Sequence, residues 1–150
     1  GVFGSLVMLA NQLNKLGVIA WFSSGLQQGI ETAGLSWPVA AAVLVVVFLF
    51  SHYMFASATA HVSAMMLAFM TVGAALVPAV YLIPFLLLMA ASSSIMMTLT
   101  HYATGTSPII FGSGYITMGK WWSLGFVMAV FELLIYSSLG LLWWKVLGLW

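Results

Sequence analysis

Residues 39–63 read VAAAVLVVVFLFSHYMFASATAHVS: an unbroken apolar run that passes into a stretch of hydroxyls, histidines and small residues. Apolar character then resumes as far as Val77, where Pro78 interrupts it. As one straight helix, residues 39–77 would measure roughly 58 Å at 1.5 Å per residue. That is about twice the ~30 Å hydrocarbon thickness of a bilayer. A break inside the segment is therefore required. The cluster Ala56–Ala60, small, hydroxylated and poorly suited to a lipid face, is the place for it. The sequence predicts a discontinuous helix over 38–77, unwound near Ser57–Thr59.

Composition makes lipid the solvent. Hydrophobic residues are 64% of the 150 and charged residues 3%, against about 25% charged in a typical soluble protein. The charges are Lys15, Glu31, Lys120, Glu132 and Lys145, too few to build a soluble surface. Disorder is excluded, because it needs low hydrophobicity and high charge. A net charge of +1 provides no field for nucleic acid. Without Cys or Asp, and with three His and two Glu, the chain has no His-Glu-x-x-His pattern, no Asp pair and no thiol. It is read as no enzyme, with no metal centre.

The remaining segments complete an all-α, polytopic membrane protein. Around the amide-rich bend at Asn11, Gln12, Asn14 and Lys15 lie two apolar arms, each short of the ~20 residues a span needs. They read either as a re-entrant hairpin over 1–28 or as a cut spanning helix followed by a surface helix. Ser23–Ser36 reads as an interfacial connection. Residues 79–100 form a spanning candidate with a small-residue centre. The last span, 121–144, is framed by Lys120-Trp121-Trp122 and Trp143-Trp144-Lys145, anchors of the kind found at both membrane surfaces. Glu132 falls near its midpoint, either as a functional carboxylate or as a protonated or hydrogen-bonded one at a helix interface. Lys15 reads as snorkelling or structural. The opening Gly1-Val2-Phe3 carries no signal-peptide pattern, and the expectation is that the chain starts partway through a larger membrane protein.

Two interruptions share a theme. One reads Ser-His-Tyr and then Ser57-Ala58-Thr59; the other, over 100–108, reads Thr-His-Tyr and then Thr104-Gly105-Thr106-Ser107-Pro108. Unwound backbone inside a membrane must find partners. Half-helix N-termini present N–H groups and a positive dipole end to anions, and transporters place substrate at such breaks. The bland alternative is that these hydroxyls only join helices to one another.

Ser57-Ala58-Thr59-Ala60, Ala103-Thr104-Gly105-Thr106-Ser107-Pro108 and Ile110-Phe111-Gly112-Ser113-Gly114-Tyr115 resemble the divalent anion/sodium symporter family over essentially the whole chain, which matches its C-terminal half. The string from Ser51 to His61 is closest to the citrate- or tartrate-type dicarboxylate/succinate antiporter branch. The resemblance implies the second of two inverted repeats. In it, residues 1–28 would be a re-entrant hairpin with its tip near Gly4–Asn11, and residues 38–77 the broken helix. The family's second Ser-Asn-Thr motif falls on Ser57-Ala58-Thr59, and its Thr-Pro-Pro-Asn-like stretch on Thr104-Gly105-Thr106-Ser107. Ser57, Thr59 and Thr104 thereby become candidate substrate-binding residues. Ala58 in place of Asn, and Gly105 in place of Pro, depart from the pattern. Ala58 offers no side-chain oxygen to sodium, which disfavours that cofactor. His52, His61 and His101 then become candidates to offset substrate charge, the alternative for each being a neutral interior ring.

The function so implied is the C-terminal half of a secondary transporter in a bacterial inner membrane. It would move di- or tricarboxylates by alternating access, by exchange. Its partners would be the anion, the lipid bilayer, a missing N-terminal half and a second copy of the full-length parent. The alternative is a non-transporting membrane fragment or assembly partner without substrate binding.

Overall fold

A computed structural model describes residues 2–150, for Val2, Phe3, Leu6, Val7 and Ala10 the backbone alone. Gly1, placed by the sequence in the first hairpin, lies outside the described residues. Among those residues the regular structure is entirely helical. The apolar run at 39–50 folds as α3 (Trp37–Ser51), with Pro38 in the first turn, where its missing N–H leaves no bond unmade. A 3-10 turn over His52–Met54 ends it. The chain is non-helical at Phe55, Ala56 and Ser57, and α4 (Ala58–Leu76) follows, capped by Ser57.

The interruption falls at Phe55–Ser57, and its geometry is a reversal. Phe48 of α3 stacks on His61 of α4 at 4.6 Å and lies 5.7 Å from Phe69. Were α3 and α4 collinear halves of one rod, the backbones of Phe48 and Phe69 would stand about 30 Å apart. Ser51 likewise reaches both His61 and Met65. The segment 38–77, expected as a broken rod, is thus two antiparallel helices whose tip carries the motif. The N-cap explains the turn: Ser57 is extended (φ −158°, ψ 147°) and its hydroxyl accepts from the Ala60 N–H. A fresh helix start is specified there rather than a continuation.

After Pro78 a 3-10 turn (Ala79–Tyr81) leads into α5 (Leu82–Ile95), which closes in a 3-10 turn at Met96–Thr98. Trp37, at the start of α3, stacks on Tyr81, at the start of α5, at 4.5 Å. Helices α3, α4 and α5 therefore run up, down and up. Leu99–Thr106 is irregular apart from turns and bends, and α6 (Ser107–Gly112) is a single short helix beyond it. The last span comprises α7 (Met118–Ile135), a π-helical turn (Tyr136–Gly140) and α8 (Leu141–Val146). Among the described residues, four segments are long and apolar enough to cross a membrane: Trp37–Met54, Ala58–Leu76, Ala79–Thr98 and Met118–Val146.

The first two helices, α1 (Val2–Lys15) and α2 (Val18–Thr32), pack on α4. The amide-rich residues Asn11, Gln12 and Asn14 are helical, and the chain turns at Leu16–Gly17, not near Gly4–Asn11. Gly17 permits this with φ 75°, a conformation that costs other L-residues strain. The polar stretch after Ser23 continues as helix to Thr32, where Gln27 and Glu31 pair at 3.0 Å one turn apart. Helix α4 is central, touched by α1, α2, α3 and α5. Phe48, Leu49, Phe69 and Met89 are wholly buried around it. Two glycines set the closest approaches. A Cβ at Gly73 would fall on the Phe85 ring, and one at Gly125 on the Thr98 carbonyl.

Candidate functional site

The hairpin tip and the connector after α5 meet backbone to backbone. The Ala58 N–H donates to the Ala103 carbonyl at 2.9 Å. The Tyr102 hydroxyl donates to the Tyr53 carbonyl, also at 2.9 Å. One residue beyond each end of the first bond stand Thr59 and Thr104. The two interruptions of the sequence thus form one locus.

Ser57 is buried; its hydroxyl oxygen accepts one N–H, which leaves its own proton to donate. Thr59 lies in the first turn of α4 and is exposed. Thr104 organises the other side. Its hydroxyl accepts from the Ser107 N–H at 3.1 Å and lies 2.7 Å from the Ser107 hydroxyl and 3.1 Å from that of Thr106. This three-hydroxyl cluster opens α6, where Pro108 occupies the first turn. Neutral donors, together with the N-terminus of the 19-residue α4, suit a carboxylate.

The histidines divide. His61 is buried between Phe48 and Phe55, with its ring nitrogens 2.8 Å from the Ser51 hydroxyl and 2.9 Å from the Met96 sulfur. His101 accepts the Trp122 indole N–H at Nδ1, 3.1 Å away, and packs on Phe111. His52 is wholly buried beside His61, their centroids 5.4 Å apart. Among the described residues neither His52 ring nitrogen has a hydrogen-bond partner, and neither does the Thr100 hydroxyl. No group of three or more metal-ligating side chains occurs among the described residues.

Tyr102, Trp122 and the Ala103 carbonyl hold this locus together, and sequence reasoning missed all three. Pro108, after the run Thr104-Gly105-Thr106-Ser107, carried a readable signal for a helix start. Nothing in the sequence pairs Tyr102 with Tyr53.

A bundle of apolar spans, with a helical hairpin tip bonded to an unwound connector, defines an integral membrane protein. The chain belongs to the family described as "Sodium:sulfate symporter transmembrane region", whose model matches residues 1–150. It is 47% identical over 150 residues to the putative malate transporter YflS of Bacillus subtilis, covering 99% of this chain and 30% of that protein. It is 41% identical over 150 residues to the chloroplastic dicarboxylate transporter 1 of Spinacia oleracea (99% of this chain, 26% of that protein). The citrate/succinate antiporter of Escherichia coli K12 is 38% identical over 146 residues (97% and 29%). The chain thus spans between a quarter and a third of the length of these relatives.

Proposed function

We propose that this chain is the C-terminal part of a carrier that exchanges one di- or tricarboxylate for another by alternating access. In this reading one carboxylate of the substrate is held by the Ser57 and Thr59 hydroxyls at the hairpin tip and by Thr104 on the connector. The observation that carries it is the bond from the Ala58 N–H to the Ala103 carbonyl, which sets the backbone of the hairpin tip against that of the connector. The reading is supported by the relatives, a putative malate transporter, a dicarboxylate transporter and a citrate/succinate antiporter. The rest of the site would come from an N-terminal half, and the full-length carrier would work as a homodimer in a bacterial inner membrane.

Exchange is proposed without sodium. Ala58 brings only a methyl where an Asn would bring an oxygen. Of the three histidines, His52 alone keeps both nitrogens without a partner among the described residues. Charge compensation in the substrate-bound state is therefore assigned to it. The competing reading, a fragment or assembly partner without substrate binding, is separated by one experiment. The full-length carrier is reconstituted into vesicles loaded with succinate, and uptake of labelled dicarboxylate is followed in sodium-free medium. Uptake that requires the internal anion supports exchange. A strict sodium requirement, or uptake indifferent to the internal anion, refutes it.

A further inference from the structure

A groove of about 280 Å³ lies between α3, α5 and the last span, at the end of the bundle away from the hairpin tip. Its mouth is aromatic. Trp37 and Tyr81 stack there at 4.5 Å, and Trp150 lies 5.5 Å from Tyr81. Trp37 and Tyr81 stand at or near the starts of their spans and Trp150 just past the end of the last one. The mouth therefore sits at one membrane boundary, where Trp and Tyr concentrate. From there the groove runs inward to Val45 and Leu88, about 10–12 Å along the helices. Below the mouth its walls are aliphatic apart from Phe85 and Ser137. The Lys145 ammonium sits 4.9 Å over the Trp150 ring, placing a cation beside the opening.

We propose that this groove seats one acyl chain of an anionic phospholipid, with the headgroup phosphate at Lys145. The match has three parts: an apolar slot parallel to the spans, an aromatic mouth at headgroup depth, and a positive charge where the phosphate would lie. A water-soluble anion would find too few donors along these walls, and an uncharged apolar guest would make no use of Lys145. The inference is independent of the carboxylate site.

The test uses the full-length carrier in vesicles of phosphatidylglycerol that contain a photoactivatable group on one acyl chain. Label is expected on the α3 and α5 peptides that border the groove. Ala42→Trp, at an exposed wall position, should fill the slot and lower that labelling at least fivefold. Ser137→Leu serves the same end should Ala42→Trp fail to fold. Lys145→Gln should lower labelling several-fold for the phosphatidylglycerol probe and leave a phosphatidylcholine probe unaffected. Labelling spread evenly over the exposed helix faces and unchanged by these variants would mean a lipid annulus only and would overturn the proposal. Absence of label from the groove walls would mean that another part of the carrier covers them, with the same consequence. Equal labelling by the two probes would remove the anionic headgroup from it.

Discussion

The Tyr102 hydroxyl reaches the Tyr53 carbonyl across 2.9 Å, joining residues 49 positions apart. With the Ala58–Ala103 bond beside it, it fastens the hairpin tip to the connector. Tyr102→Phe removes this tie and leaves the ring packing intact. One neutral hydrogen bond contributes about 1 kcal/mol, so apparent affinity for dicarboxylate should fall about fivefold. Exchange kinetics of the full-length carrier measure this, and unchanged half-saturation would show that the tip is held without Tyr102.

Ser57 and Thr59 should separate in a stability assay. Ser57→Ala removes an N-cap, which costs about 1 kcal/mol, as well as a substrate donor; both the melting temperature and substrate binding should drop. Thr59→Val removes an exposed hydroxyl with little packing to lose, so binding should weaken at an unaltered melting temperature. If Thr59→Val binds and exchanges normally, Thr59 leaves the site.

His52→Leu is the sharpest probe of charge compensation. Two buried nitrogens without partners are a cost that an apolar side chain avoids, so the melting temperature should hold or rise. Exchange should nevertheless fall at least tenfold if the ring compensates the substrate's charge. Full exchange by a stable His52→Leu carrier would end that assignment.

The glycines predict a rank order. At Gly73 a new methyl meets the far end of the Phe85 side chain; at Gly125 it meets the Thr98 backbone. Overpacking costs about 1–3 kcal/mol, and Gly125→Ala should take the higher end because backbone yields less. Thermal melting of the two variants checks it; a greater loss for Gly73→Ala would contradict this account of the contact between α7 and the 3-10 turn after α5.

Fold class was legible because lipid imposes one requirement, uninterrupted apolar length, that the sequence displays directly. Lengths alone demanded a break between Val39 and Val77, yet a rod broken in two and a rod folded in two have the same length. The difference lies in which side chains Phe48 touches, and no local pattern records that. The turn at Gly17 was missed for a related reason. Amides look like a bend, but Asn11, Gln12 and Asn14 have exposed faces on a helix, and a left-handed glycine marks the reversal instead. The hydroxyls of the site stood out as polar residues in apolar surroundings. The backbone bond that sets tip against connector depends on topology and left no trace in composition.

The π-helical turn at Tyr136–Gly140 has a geometric effect across the last span. Contacts along α7 recur every fourth residue, at the buried Gly125 and Ala129 and then at Leu133. Four residues overshoot one α-helical turn by about 40°, so such a stripe drifts around the cylinder. One wider turn takes back part of the drift and keeps Ser137 and Leu141 in phase with the stripe. Deleting a single residue between 136 and 140 would close the wide turn to an ordinary α-helical one, and because that turn absorbs the extra residue, Trp143 and Lys145 would swing by far less than the roughly 100° that the same deletion causes in an uninterrupted α-helix.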